Sequence, residues 1–284
     1  MTIAYLNGKF VPLEDARISP MDRGFLFGDG IYEVIPCYEG QLVGFQRHMQ
    51  RFDQGLAAIH LENPMSDVEW QSLFHELTSQ NQGEYQGVYL QVTRGASAVR
   101  NHRFPVDCQP TVFAYTFNVN APCNGDPATA TCYRVATAQD RRWKRCDIKS
   151  VALLGNVLHM MEGVDAGADE IILFNEQEEL TEAAACNVFI VQDESVITPP
   201  LDVEKLPGVT RNMLIDILRN DGWRVEERAI TRGEVVNADE VWLTSSTKEI
   251  APVIDIDGQS VAGGKPGLVW AAAQSLFARH RFSA

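Results

Sequence analysis

Arg142-Trp143-Lys144-Arg145-Cys146-Asp147-Ile148-Lys149-Ser150-Val151-Ala152-Leu153-Leu154 is the stretch on which the reading of this chain turns. Lysine is scarce, and Lys9, Lys144, Lys149, Lys205, Lys248 and Lys265 are the whole set. Lys149 follows Ile148 and precedes an apolar run that reads as the opening of a helix over 150–166. A lysine held against apolar surroundings loses hydration, which disfavours its ammonium form. A neutral amine attacks carbonyl carbon and forms an imine. The same pattern also suits a lysine whose stem lies on the core and whose head reaches water.

Around this segment lie 284 residues, a length that fits one large or two medium domains. Apolar residues make up 45% and charged residues 22%, the balance of a folded globular chain rather than a disordered or fibrous one. The formal net charge of -14 gives no general footprint for nucleic acid or an anionic membrane. No apolar run is long enough to cross a bilayer, and the N-terminus lacks the basic and apolar segments of an export signal. Six scattered cysteines without a CxxC pair point to reduced thiols and a cytoplasmic protein. No metal-ligand spacing occurs among the histidines and cysteines, so no metal is expected.

Strand patterns flank Asn7-Gly8 and Glu39-Gly40, two hairpin turns. Helical spacing follows over 46–59 and 66–79, with Ser66 as N-cap and Glu69 three residues on. Residues 88–93 and 111–117 read as strands. Residues 1–117 thus form a small α+β domain, and the Asn, Pro, Gly and Asp of 118–128 read as a linker. In 129–284, strands over 132–137, 170–174, 187–191 and 241–244 alternate with helices over 209–221 and 267–279. This larger α/β domain is expected to hold the lysine.

Three other features carry possible chemistry. Bases crowd 94–103 (Arg94, Arg100, His102, Arg103) and 141–149, as a local anion site or as solvated faces balancing acids. Thr181-Glu182 leads through Ala183-Ala184-Ala185-Cys186 into a strand, where an acid beside small residues suits a flat ring or a solvated turn. Pro207-Gly208-Val209-Thr210-Arg211 opens a helix whose free N–H groups suit a phosphate or a plain cap.

The segment 142–150 resembles the pyridoxal-phosphate lysine segment of fold-type IV aminotransferases, and more narrowly the D-amino-acid transaminase (D-alanine aminotransferase) branch. Asp22-Arg23-Gly24 with Phe27-Gly28-Asp29-Gly30-Ile31-Tyr32-Glu33-Val34, then Thr181-Glu182 to Phe189, Gly208 to Arg211 and Thr244 to Ile250, fit in the family's order. The resemblance implies an α/β fold, with a small α+β domain and a larger barrel-like domain. It implies pyridoxal 5'-phosphate joined to Lys149 as a Schiff base, with Lys149 also moving the proton between substrate Cα and cofactor C4′. Glu182 then binds the pyridine nitrogen. Arg51, Thr210, the Val209 amide and Ser246 hold the phosphate, and Leu206 packs near the cofactor. Tyr32, Arg100 and His102 hold the substrate α-carboxylate, the last two from the neighbouring subunit of a homodimer. The implied activity is ping-pong transfer between D-alanine or D-glutamate and pyruvate or 2-oxoglutarate. A branched-chain L-amino-acid transaminase, an aminodeoxychorismate lyase and a non-catalytic vitamer binder are the alternatives. Two departures stand out: the stretch Gly95 to His102 is one residue longer than the family form, and Ala183 to Cys186 replaces a Gly/Ser-rich segment.

Overall fold

A computed structural model of the chain describes residues 2–283. Its contacts divide into two compact units, 1–121 with 148–153, and 122–147 with 154–284.

In the first unit, Asn7 (φ 47°) and Gly8 (φ 89°) turn strand β1 (Ile3–Leu6) into β2 (Lys9–Pro12). A short helix α1 (Arg23–Phe27) precedes β3 (Gly30–Tyr38), which turns at Glu39-Gly40 into β4 (Gln41–Leu42). Helices α2 (Phe45–Ala58) and α3 (Asp67–Gln80) lead to β5 (Tyr85–Thr93) and β6 (Thr111–Asn118). The six strands form one antiparallel sheet in the order β2-β1-β6-β5-β3-β4. Ser66 and Glu69 close a capping box at the start of α3. The strand period of two sends Ile31 and Ile35 into a core with Met49, Phe52, Trp70 and Phe74 from the two helices.

The lysine segment departs from expectation. Residues 148–153 pack with the first unit, not with the larger second one. They bend at Ile148 and Val151 and make one isolated bridge, Ser150 to Ile31, so the next helix begins at Leu154 rather than Ser150. The cause is pairing with β3: Tyr32 N–H donates to Lys149 O (3.1 Å) and Val151 N–H to Gly30 O (3.0 Å). Gly28 caps α1 in the left-handed region (φ 68°), and a Cβ there would stand 2.8 Å from Ala152 Cβ.

The second unit begins with β7 (Tyr133–Gln139) and α4 (Leu154–Asp165), then β8 (Glu170–Phe174), β9 (Leu180–Ala183), β10 (Asn187–Gln192) and β11 (Ser195–Thr198). Helix α5 (Val209–Asn220), β12 (Val225–Glu227), α6 (Arg232–Val236), β13 (Glu240–Ser245), β14 (Glu249–Ile256), β15 (Gln259–Ser260) and α7 (Leu268–His280) follow. Strand order in this mixed sheet is β12-β11-β10-β13-β14-β7-β8-β9, with β15 paired to β14. Strands β9 and β10 stand five positions apart in that order, about 24 Å if the sheet were flat. Yet only Ala184, Ala185 and Cys186 join them, a link that spans at most about 14 Å. The sheet therefore curls, and Ala183 N–H reaches Cys186 O at 2.8 Å. Inside the curl lie Val135, Ile172, Leu180, Val188, Ile190 and Leu243. The expected strands and helices of this half are present. The β9, β11, β12 and β14 strands and the short α6 carry too little periodicity to be read from their brief apolar runs.

Gly28→Ala combines a strained backbone with a push on the Ala152 backbone. We expect it to lower unfolding free energy by more than about 1 kcal/mol in urea titration; an unchanged midpoint would show that 148–153 yields at no cost.

Candidate active site

Each unit builds its own set of functional groups. In the first, β3 places Glu33 on the same face as Ile31 and Ile35, where it has no exposure to solvent. A carboxylate in an apolar core must be paired. Helix α2 supplies both partners from one face, three residues apart. Arg51 Nε donates to Glu33 Oε1 (2.7 Å) and Arg51 Nη2 to Oε2 (2.6 Å), while His48 Nδ1 lies 2.7 Å from Oε2. Burial alone would raise the Glu33 carboxyl, but Arg51 and His48 outweigh it and hold it at about 2. For His48, burial dominates and lowers its pKa, and the nearby Arg51 and Lys149 charges push the same way. Two donors of Arg51 are thus committed to Glu33, which fixes the guanidinium plane.

Lys149 itself is half-buried, with Nζ 4.1 Å from the centroid of the Tyr32 ring. Among the described residues no carboxylate lies within ion-pair distance of it. The base-rich neighbourhood is otherwise neutralised: Arg141 pairs with Glu162, Lys144 with Glu204 and Arg145 with Asp147. Arg141, Lys144 and Arg145 are therefore balanced on the surface, whereas Arg142 is buried against Asp140 and Glu182. Tyr32 stacks on Tyr89 at 5.7 Å. Arg100 and His102 are exposed on the loop between β5 and β6, and both contact the Phe27 ring, at 4.9 and 5.3 Å.

In the second unit, β9 places Glu182 inward with only 5% exposure, so it is no solvated turn. Arg142 Nη1 donates to its Oε1 at 2.5 Å, and Asn187 Nδ2 (3.1 Å) and the Leu206 N–H (3.0 Å) donate to Oε2. Burial still raises the Glu182 pKa, with Arg142 acting against it. Arg142 divides its charge, because Asp140 accepts from its Nε and Nη2 at 3.0 and 2.7 Å. Thr181 Oγ1 donates to Asp140 at 2.7 Å. A further positive group or N–H donor would stabilise the Glu182 carboxylate, and a protonated pyridine nitrogen is such a group.

Val209 and Thr210, both buried, form the first turn of α5, where Gly208 as N-cap supplies no side-chain hydrogen bond. Uncapped N–H groups and the helix dipole favour an anion. Gly208 is required there by packing: a Cβ would meet Asn187 Oδ1 at 2.0 Å, and Asn187 is held by Glu182 and Leu206 O. Ser246 sits in the turn after β13. Cys186 is buried beside this turn, and burial pushes its thiol up to about 12. In the first unit the lysine without an acid partner suits an aldehyde; in the second, the acid raised by burial suits a pyridine nitrogen and the uncapped helix start suits a phosphate.

Sequence reasoning gave no role to Glu33, His48, Asp140, Arg142 or Asn187, which the structure shows as buried or bonded partners of the candidate residues. A charged residue inside the alternating apolar pattern of β3 was the available signal for Glu33. Arg142 and Glu182 are 40 residues apart, and Asp140 and Thr181 are 41 apart, so no local pattern marks these pairs.

Residues 30–256 match the family profile described as amino-transferase class IV. The chain belongs to this family of pyridoxal-phosphate aminotransferases. It is 38% identical over 261 residues to a D-alanine aminotransferase of Bacillus licheniformis, covering 92% of this chain and 90% of that protein. It is 36% identical over 281 residues to the D-alanine aminotransferase of Staphylococcus haemolyticus, covering 99% and 98%. Among solved structures, a T.th. branched-chain amino acid aminotransferase with pyridoxamine 5'-phosphate superposes with a TM-score of 0.89 at 25% identity, covering 99% of this chain and 94% of that one. The Escherichia coli branched-chain amino acid aminotransferase gives 0.88 at 24% identity, covering 98% and 94%, which bears on the fold alone. The expected fold-type IV architecture and aminotransferase class are thereby established.

The Glu33 cluster sets a pH response. Its folded pKa lies below the ordinary 4.5, so its contribution is complete above about pH 4.5 and is lost as pH falls toward 2. That loss is about 3 kcal/mol. His48, held neutral, acts in the same direction below its usual 6.5. We expect Glu33→Gln to lower Tm at pH 7 and to flatten the fall in Tm between pH 4.5 and 2; parallel Tm profiles for the two proteins would contradict this.

Proposed function

We propose that this aminotransferase transfers amino groups between D-amino acids, D-alanine and D-glutamate foremost, and the 2-oxo acids pyruvate and 2-oxoglutarate, in the cytoplasm. Near-full-length likeness at 36–38% to proteins named D-alanine aminotransferase is the observation that carries the substrate class. Pyridoxal 5'-phosphate, when bound, supplies an electron sink for charge developing at Cα.

The chain's own groups do the rest. The Lys149 amine would hold the cofactor's aldehyde and would carry the proton taken from the substrate Cα. Tyr32, under its Nζ, limits where that amine can point. Glu182 holds a proton on the pyridine nitrogen, and Arg142, Asn187 and the Leu206 N–H keep the carboxylate turned toward its task. The Val209 amide, Thr210, Ser246 and Arg51 bind the phosphate, the last with its plane fixed by Glu33. Arg100 and His102, reaching from the partner of a homodimer, join Tyr32 in gripping the substrate carboxylate. That grip decides which Cα hydrogen faces Lys149, and so the enantiomer. Release of the first 2-oxo acid before the second binds makes the kinetics ping-pong.

Purified protein is to be assayed with each enantiomer of alanine and with L-leucine against 2-oxoglutarate. We expect turnover with D-alanine, at least about 100-fold less with L-alanine and L-leucine, and none with Lys149→Ala. Faster turnover of L-leucine would replace this reading with a branched-chain L-specific one, and pyruvate release from aminodeoxychorismate without an acceptor would replace it with a lyase.

A further inference from the structure

The loop that carries Arg100 and His102 has no helix or strand of its own, yet it is held from beneath. Asp29 is the hub. Arg23 Nε donates to its Oδ2 at 2.7 Å, and Arg94 donates to Oδ2 and Oδ1 at 2.8 and 3.0 Å. The two guanidinium groups outweigh the burial of Asp29 and lower its pKa. Both arginines are almost fully buried, and both continue into the loop. Arg23 Nη1 donates to Asn101 O (2.5 Å) and Arg103 O (3.4 Å), and its Nη2 to His102 O (3.4 Å). Arg94 lies over the Phe104 ring at 3.7 Å. Three successive loop carbonyls and the aromatic residue that follows are thus fixed by one carboxylate.

The side chains are fixed by one ring. Phe27, the last residue of α1, has the Arg23 guanidinium 4.8 Å from its centroid, that of Arg100 at 4.9 Å and the His102 ring at 5.3 Å. A cation near an aromatic ring is attracted by its quadrupole, and a flat ring limits the rotamers of what rests on it. An exposed arginine would otherwise surrender its rotamer freedom when it bound a ligand.

We propose that Phe27, with Arg23 and Asp29 behind it, is a positioning residue that presets the spacing of Arg100 and His102 and thereby sets affinity for the substrate carboxylate. The proposal rests on the reading of Arg100 and His102 as the carboxylate anchors. It also bears on the extra residue between Gly95 and His102: the Phe27 ring and the Arg23 contacts define where the longer loop presents its two side chains.

The test uses the holoenzyme and two readouts, KM for D-alanine and the calorimetric Kd of D-lactate, a carboxylate that cannot transaminate. Arg100→Ala, Phe27→Leu, Phe27→Tyr and the Phe27→Leu/Arg100→Ala double variant are compared, with Phe27→Met standing in if the leucine variant does not accumulate. Phe27→Leu is expected to raise both constants about three- to thirty-fold, the range of a cation–π contact, with kcat within about two-fold. Phe27→Tyr, which keeps the flat ring, recovers most of the loss. The double variant loses less than the product of the two single losses, because the ring acts in part through the arginine and keeps only its hold on His102 once the arginine is gone. Unchanged constants for Phe27→Leu, or losses that multiply in the double variant, overturn the proposal while leaving Arg100 as an anchor. If Arg100→Ala itself leaves both constants unchanged, the anchor reading falls and the proposal with it.

Discussion

A carboxylate deprived of water must find charge or donors inside the protein, and Glu182 is the place where this chain meets that demand. Arg142, Asn187 and the Leu206 amide all aim at it, yet burial still raises its pKa. Much of the second unit serves that arrangement. The curl of the sheet brings the end of β9 to the start of β10, which places Glu182 and Asn187 side by side although their strands are not neighbours in the sheet order. Gly208 lets the start of α5 lie against Asn187, and the same helix start offers its uncapped N–H groups to an anion. Asp140 takes part of the Arg142 charge, which leaves the acid short of full compensation.

The first unit solves a similar problem differently. Glu33 is fully paired by Arg51 and His48, so its carboxylate is strongly stabilised rather than held in want of a partner. A bidentate arginine on a buried acid gives rigidity and a fixed guanidinium plane. Lys149 lies close enough to this cluster to push on His48, with its Nζ over an aromatic ring and, among the described residues, no carboxylate within ion-pair distance. One buried acid is held low by two cationic partners, and the other keeps a carboxyl raised by burial despite Arg142. Their surroundings, not their residue type, separate the two.

What could be read in advance follows from the range of each interaction. Asn7-Gly8, Glu39-Gly40 and the Ser66/Glu69 capping box are local, and the structure keeps all three. Local reading failed at 150–153, where helical spacing yields to strand pairing with β3, an interaction 119 residues distant between Ile31 and Ser150. The same failure assigned Lys149 to the larger domain. Lys149 and Glu182 were legible as oddities of composition. Their roles came from a resemblance, because nothing in the local spacing distinguishes a catalytic lysine from one that snorkels. Arg142 and Asn187 were visible letters without visible partners, since pairing across a curled sheet leaves no periodic trace.

Glu182, held short of compensation, is the group that keeps a proton on a pyridine nitrogen in the proposed reaction. Nitrogen NMR of the holoenzyme loaded with ring-labelled pyridoxal phosphate reads that proton directly. A protonated nitrogen is expected in the native protein and a neutral one in Glu182→Gln. A neutral nitrogen in the native protein, or a protonated one that ignores the substitution, would contradict the role given to this carboxylate.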